Sequence, residues 1–137
     1  MAGLGETILV VDDEPSDLEV ARTALEGLGY NVLAAGDGPS ALSVYREFGE
    51  PIALLVTDVA MSPMSGCELA VRLAAIQMDM KILFVSGYAG AGVLRREKVA
   101  ELKAAFLRKP FTAEQLTECV QALLAPRVLK TARSVAQ

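Results

Sequence analysis

Residues 7–14 read Thr-Ile-Leu-Val-Val-Asp-Asp-Glu, an apolar run that ends in a group of acids. Continuous apolar runs of this length are typical of strands that are covered on both faces of a parallel sheet. Residues 52–56 lead in the same way to Asp58, and residues 104–107 lead to Lys109 and Pro110. Because ligand chemistry in open α/β sheets gathers at the carboxyl ends of the strands, this pattern predicts a pocket of acids facing one lysine.

Three carboxylates at one sheet edge would repel one another and lie partly out of water. A divalent cation would relieve both costs, and Mg²⁺ prefers oxygen ligands of this kind. An acidic Mg²⁺ pocket with a facing lysine suggests phosphoryl chemistry on an aspartate.

Strands and helices alternate along the chain, which predicts a parallel, doubly wound sheet in a three-layer sandwich. The predicted strands are Thr7–Val11, Asn31–Ala35, Ile52–Thr57, Lys81–Val85 and Ala104–Arg108. Helices are predicted at about 15–28, 38–48, 65–76, 93–102 and 112–124, from apolar spacing, Pro and Gly positions, and Ser/Thr-x-x-Glu/Gln capping patterns.

Composition narrows the possible functions. The 137 residues carry a net charge of −4, which disfavours a nucleic-acid-binding domain, and no apolar run is long enough to span a membrane. No signal peptide pattern begins the chain, and the two cysteines form no CxxC pair, so a reduced, cytoplasmic protein is expected. With no histidine in the sequence, a phosphohistidine donor has to lie outside these 137 residues.

The expected organisation is one domain over residues 7–125. Residues 1–6 form a short N-terminal extension in this interpretation. Residues 126–137, with basic side chains at Arg127, Lys130 and Arg133, form a mobile C-terminal tail.

Four segments, in order along the chain, resemble the receiver domain of bacterial two-component response regulators, which is CheY-like. They are Ile8–Glu14, Leu55–Gly66, Leu83–Gly87 and Phe106–Phe111, and the resemblance covers about residues 7–124. It implies a flavodoxin-like (βα)5 fold with a five-stranded parallel sheet of order 2-1-3-4-5; the chemotaxis member of the family is a standard example of that order.

The resemblance also implies roles for the residues at the strand ends. Asp58 would accept the phosphoryl group, while Asp12, Asp13, Asp58 and the backbone carbonyl of Ala60 would hold Mg²⁺. For Asp12 and Asp13 the alternative is simple capping of the following helix, and for Glu14 capping is the preferred interpretation.

Lys109 would contact the phosphoryl group, and the Lys109–Pro110 bond is cis in this family. Ser86 would hydrogen-bond the phosphoryl group and, with Phe106, form the conformational switch. A turn-capping role for Ser86 and plain core packing for Phe106 are the alternatives.

The function implied is a phosphorylation-dependent signalling switch, not an enzyme acting on other substrates. A sensor histidine kinase or a histidine phosphotransfer protein would supply the phosphoryl group. A downstream protein would bind the readout face, which consists of the fourth predicted helix, the fifth strand and the last helix (α4-β5-α5 in the family). A monomer or a weak dimer is expected.

Two alternatives come from other classes. One is a receiver-like interaction module that is never phosphorylated; the complete set of acids and lysine argues against it. The other is a phosphatase of the haloacid-dehalogenase type, which would need an acid two residues after the nucleophile, where this chain has Ala60.

Four residues depart from the commoner family pattern: Ser62 where proline is usual, Ser86 for threonine, Phe106 for tyrosine, and Lys103 where a glycine often ends the fourth helix. None of them removes a group with a proposed chemical role.

Overall fold

A computed structural model of the chain describes residues 5–87 and 102–125. Its strands are β1 (Thr7–Val11), β2 (Asn31–Ala35), β3 (Leu54–Asp58), β4 (Lys81–Ser86) and β5 (Ala105–Arg108). They pair in parallel as one sheet in the order β2-β1-β3-β4-β5. The predicted fold and strand order are confirmed.

The helices of the described part are α1 (Pro15–Glu26), α2 (Gly38–Phe48), α3 (Gly66–Ile76) and a C-terminal helix (Ala113–Leu123). Every predicted boundary within the described residues lies within two residues of the observed one. The predicted helix at 93–102 lies outside the described residues except for Leu102, as does the tail at 126–137. None of the helices in the described ranges has the length and apolar character to cross a membrane.

The apolar residues of β1 alternate between two separate cores. Ile8 and Val10 pack in a cluster that includes residues of α1 and the C-terminal helix. Leu9 and Val11 pack in a second cluster with residues of α2 and α3. Because side chains of a strand alternate between faces, a strand covered on both sides has to be apolar throughout. Each fully buried Leu or Ile stabilises this arrangement by roughly 1.5–3 kcal/mol.

Hydrogen bonds from side chains fix where several helices begin. The hydroxyl of Thr112 and the amide of Gln115 form a complete capping box at the C-terminal helix. At α3 the Ser65 hydroxyl accepts from the backbone N–H of Glu68 at 3.1 Å, while the Glu68 carboxylate pairs with Arg72. These contacts satisfy backbone donors that the first helical turn leaves without partners.

Lys103, which precedes β5, has a φ of 52°, in the left-handed region that side chains disfavour. The family's common glycine at this position would adopt that conformation without steric cost. The departure noted in the sequence therefore corresponds to local backbone strain.

We predict that Lys103→Gly raises the free energy of unfolding by about 0.5–1 kcal/mol, the relief of left-handed strain less the added flexibility of glycine in the unfolded chain. Urea unfolding measures the change. Lys103→Ala removes the same side chain but keeps a Cβ, so it should give no gain. An equal loss of stability in both variants would show that φ is not the cause.

Candidate functional site

The register of the sheet brings the chemically important residues to one edge. Val11 of β1 lies opposite Thr57 of β3, so Asp12 and Asp58 come one residue later on adjacent strands. Asp58 in turn lies opposite Val85, the residue before Ser86. Ser86 pairs with Arg108, and Lys109 follows directly, its N–H donating to the Ser86 carbonyl at 2.9 Å.

Three carboxylates meet at this edge. Asp12, Asp13 and Asp58 each offer an oxygen such that these atoms lie within 4.8 Å of one another. Asp12 and Asp58 are 4% and 8% exposed, whereas Asp13 is exposed. Two acids are therefore buried beside each other, which costs free energy unless a positive charge compensates.

Lys109 supplies a positive charge. Its Nζ donates hydrogen bonds to Asp12 Oδ2 at 2.8 Å and to Asp17 Oδ2 at 3.2 Å. The distance from Nζ to Asp58 Oδ1 is 3.7 Å, an ion pair beyond hydrogen-bond length. The Lys109–Pro110 peptide bond is cis, as the resemblance implies, and so is Ser62–Pro63, which was not predicted.

Asp17 is the residue that sequence reasoning missed. It lies in the first turn of α1, where an acid is readily explained by the positive end of the helix dipole. The available signal was its position: the first turn of a helix that follows β1 lies beside the same sheet edge as Asp12.

Burial raises the pKa of the Asp58 carboxyl to about 6, and it is the largest influence on that group. Lys109 and the backbone N–H of Val59, which donates to Asp58 Oδ1 at 2.9 Å, act in the opposite direction. The charges of Asp12 and Asp13 add to the rise. Asp58 is thus ionised at neutral pH, but at a cost that comes from its surroundings.

The pKa of Lys109 responds to opposing influences. Burial, the largest of them, would lower it, but the hydrogen bond and charge of Asp12, together with Asp58 and Asp17, raise the pKa above its ordinary value. Lys109 therefore stays cationic at neutral pH despite its partial burial.

Asp12 also fixes the turn that precedes α1. Its Oδ1 accepts from the backbone N–H of Glu14 at 2.9 Å, while its Oδ2 accepts from Lys109. Glu14 occupies the N-cap position, yet its carboxylate makes no capping hydrogen bond. Glu14 thus lies at the helix start as predicted, where its charge is favoured by the helix dipole, although its side chain makes no capping hydrogen bond. Asp12 fixes the turn before the helix and lies in the acidic cluster as well.

The loop after Asp58 is held close to the strand end. The Val59 carbonyl accepts from the N–H of Gly66 at 2.9 Å, and the buried Thr57 hydroxyl donates to the Asp58 carbonyl at 2.9 Å. A Cβ on Gly66 would lie 1.9 Å from the Asp58 carbonyl oxygen. Glycine is therefore required there by close backbone approach, independently of φ.

Ser86 is half-buried at the end of β4, and its backbone carbonyl accepts a hydrogen bond from the N–H of Lys109. Phe106 is 57% exposed on β5, and its ring centroid lies 5.7 Å from that of the buried Phe84. The interpretation of Phe106 as plain core is wrong, because an edge strand alternates between covered and solvent-facing side chains.

The acids fit a magnesium ion in type and spacing. Mg²⁺ takes oxygen ligands at about 2.0–2.1 Å, so its ligands lie roughly 3–4 Å apart. The three carboxylates already approach within 4.8 Å, which leaves only a small adjustment. Their negative charge exceeds what the single ammonium of Lys109 neutralises.

Comparison with known proteins agrees with this fold. The response regulator receiver domain family matches residues 8–121. The chain belongs to this family, which acts in two-component signalling and is not a class of conventional enzymes. Because the chain belongs to this family, the alternative of a haloacid-dehalogenase phosphatase is excluded.

Two curated relatives come from Brucella abortus (strain 2308). The sensor kinase CckA is 37% identical over 118 residues, which is 86% of this chain and 12% of that protein. The response regulator receiver protein CpdR is 40% identical over 75 residues, 55% of this chain and 62% of that protein. The chain thus matches less than two thirds of the length of either relative.

A solved structure is similar over nearly its whole length. The response regulator protein TrrA of Thermotoga maritima superposes with a TM-score of 0.71 and 31% identity, covering 87% of this chain and 99% of that one.

The raised pKa of Asp58 gives a prediction for stability against pH. Protonated Asp58 is favoured by the fold, so its contribution to stability is full below about pH 4 and is lost as the pH rises through 6. In metal-free buffer at pH 7.5, Asp58→Asn should raise the free energy of unfolding by about 1–3 kcal/mol. The gain should vanish near pH 4.

Urea unfolding at several pH values, with a chelator present, measures this difference. Glu47→Gln is the control, since Glu47 is an exposed acid of α2 away from the site. A gain that does not depend on pH would contradict the electrostatic explanation.

Proposed function

We propose that the chain is a phosphorylation-dependent signalling switch in which Asp58 accepts a phosphoryl group. The observation that carries this proposal is the buried Asp58 carboxylate beside Asp12, Asp13 and the Lys109 ammonium. A carboxylate that is ionised at a cost, next to a cation and two further acids, is arranged for charge-dependent chemistry and not for packing.

Asp12, Asp13 and Asp58 would hold Mg²⁺, together with the Ala60 backbone carbonyl implied by the family. The TrrA structure is a complex with Mg²⁺ and BeF, which supports a metal at the corresponding place. When bound, the ion supplies charge neutralisation for the phosphoryl oxygens and the attacking carboxylate.

Lys109 and Ser86 would contact the phosphoryl oxygens. Lys109 remains protonated because of its acidic neighbours, so it offers N–H donors and a full positive charge. Ser86 lies on β4, the strand next to β5, and directly follows Val85, which pairs with Asp58. Phosphoryl transfer requires mainly such positioning and charge stabilisation from the protein.

In the transfer step, a carboxylate oxygen of Asp58 forms a bond to phosphorus as the P–N bond of a phosphohistidine breaks. That histidine, of a sensor kinase or a phosphotransfer protein, would lie outside these 137 residues, which contain none. Water then hydrolyses the acyl phosphate, which releases inorganic phosphate and restores the carboxylate. The cycle leaves the protein unchanged.

Signalling would follow from contacts that exist only in the phosphorylated state. Ser86 and Phe106 would change position together, and a downstream protein would recognise the altered readout face. The exposed Phe106 ring, whose centroid lies 5.7 Å from that of Phe84, has room to move because it is not packed in the core. We place this activity in the cytoplasm and assign the receiver domain to residues 7–125.

Intact mass after incubation with Mg²⁺ and acetyl phosphate tests the proposal. We expect one added phosphoryl group on the wild-type chain, and none with Asp58→Asn or with excess chelator. Asp79→Asn, an exposed aspartate outside the cluster, should be phosphorylated like the wild type.

If the wild type gains no mass, binding of Mg²⁺ and beryllium fluoride decides between two explanations. Binding would show an intact site that takes phosphate only from a protein donor. Failure of both experiments would overturn the phosphorylation mechanism and favour the interaction module that is never phosphorylated.

A further inference from the structure

The ammonium of Lys109 makes its two hydrogen bonds to acids other than the proposed phosphoacceptor. Nζ lies 2.8 Å from Asp12 and 3.2 Å from Asp17, but 3.7 Å from Asp58. An ammonium has three N–H donors, and these distances commit two of them away from Asp58. Lys109 therefore forms an ion pair with Asp58 in this structure, but its two hydrogen bonds go to Asp12 and Asp17.

Asp12 and Asp17 both accept a hydrogen bond from the Lys109 ammonium, but they differ in their exposure to solvent. The Asp12 side chain is 6% exposed and accepts a hydrogen bond from the backbone N–H of Glu14, so its position is fixed by the fold. The Asp17 side chain is 47% exposed, and its carboxylate has Lys109 as its partner among the described hydrogen bonds and ion pairs. Asp17 therefore has no evident structural duty beyond its place at the helix start.

Space for a movement of Lys109 is present beside this contact. Asp17, Val20, Lys109, Pro110 and Phe111 line one cavity between α1 and the start of the C-terminal helix. Because Lys109 borders this cavity on one side, its stem has space there to change rotamer.

We infer that Asp17 is a positioning residue that keeps the Lys109 ammonium beyond hydrogen-bond distance of Asp58 while Asp58 is unphosphorylated. The Lys109–Asp17 hydrogen bond exists in the resting state and is given up when Lys109 turns to a phosphoryl group on Asp58. Asp17 thereby stabilises the resting state relative to the phosphorylated one. This inference rests on the proposed function of Asp58.

The expected size of the effect of Asp17 on phosphorylation follows from the solvent exposure of its carboxylate. A half-exposed carboxylate is screened by water and salt, so its contact with Lys109 shifts an equilibrium only a few-fold. Such a shift is enough to change the fraction of active protein at a limiting phosphoryl supply without abolishing the switch.

The first experiment measures the affinity for beryllium fluoride at saturating Mg²⁺ by ¹⁹F magnetic resonance. We expect Asp17→Asn to bind about two- to five-fold more tightly than the wild type, with the difference shrinking at high salt. Glu19→Gln is the matched control, because it removes an equally charged, exposed acid of α1 that pairs with Arg22. Unchanged or weaker binding by Asp17→Asn, or the same gain with Glu19→Gln, would overturn the inference.

A second experiment separates release of Lys109 from direct repulsion between Asp17 and the bound anion. The change in melting temperature caused by Asp17→Asn is compared in the wild type and in Lys109→Met, without metal or beryllium fluoride. We expect the change in the wild type to be more destabilising by about 1–3 °C, since only there is an ion pair lost. Lys109→Gln replaces Lys109→Met if the latter does not fold.

Equal changes in both backgrounds would refute the proposed role of Asp17 in holding Lys109, even if the affinity for beryllium fluoride rises. The gain in affinity would then come from the removal of repulsion between Asp17 and the bound anion. If the wild type itself does not bind beryllium fluoride, the proposed function of Asp58 fails. The temperature comparison would in that case still show whether Asp17 and Lys109 are coupled.

Discussion

The crowding of carboxylates around one ammonium at the carboxyl edge of the sheet is the constraint on which this structure depends. Asp12 and Asp58 are both nearly buried, and Lys109 lies within ion-pair distance of each. Without that ammonium, two buried charges of the same sign would face each other in a medium that screens them poorly. The charge balance of the site therefore affects the stability of the fold.

The sheet makes this crowding possible by placing it on a rigid frame. β1 and β3 are buried along their full length, and apolar clusters cover both of their faces. Strands held in this way cannot move apart to relieve repulsion, so Asp12 and Asp58 stay close. Hydrogen bonds at the β3 end, from Thr57 and Gly66, fix the loop that follows. The stability of the two cores thus sustains an edge that is unfavourable by itself.

Much of this arrangement could be predicted from the sequence, but the contact of Asp17 and the exposure of Phe106 could not. Continuous apolar runs predicted the strands, and helical apolar spacing with Gly, Pro and Ser/Thr signals predicted the helices of the described residues. The acids at the strand ends predicted the cluster of Asp12, Asp13 and Asp58. Asp17 was not predicted because its partner is 92 residues away, and only tertiary structure brings them together. The exposure of Phe106 was also not readable, since an aromatic residue on a short strand fits a covered and an open face equally well.

The excess of carboxylates over the single Lys109 ammonium explains how such a site can respond to a ligand. A resting site with its carboxylates already neutralised would gain little from added cations or from a phosphoryl group that engages Lys109. Here the pKa of Asp58 is raised to about 6 mainly by burial, so its ionised form carries a cost in the resting protein. Ligands that offset this cost can favour one conformation over another, because a ligand shifts an equilibrium only through its different affinity for the two states. Burial of the Asp58 carboxylate, with a smaller contribution from the like charges of Asp12 and Asp13, is in this sense the cost that a ligand could offset.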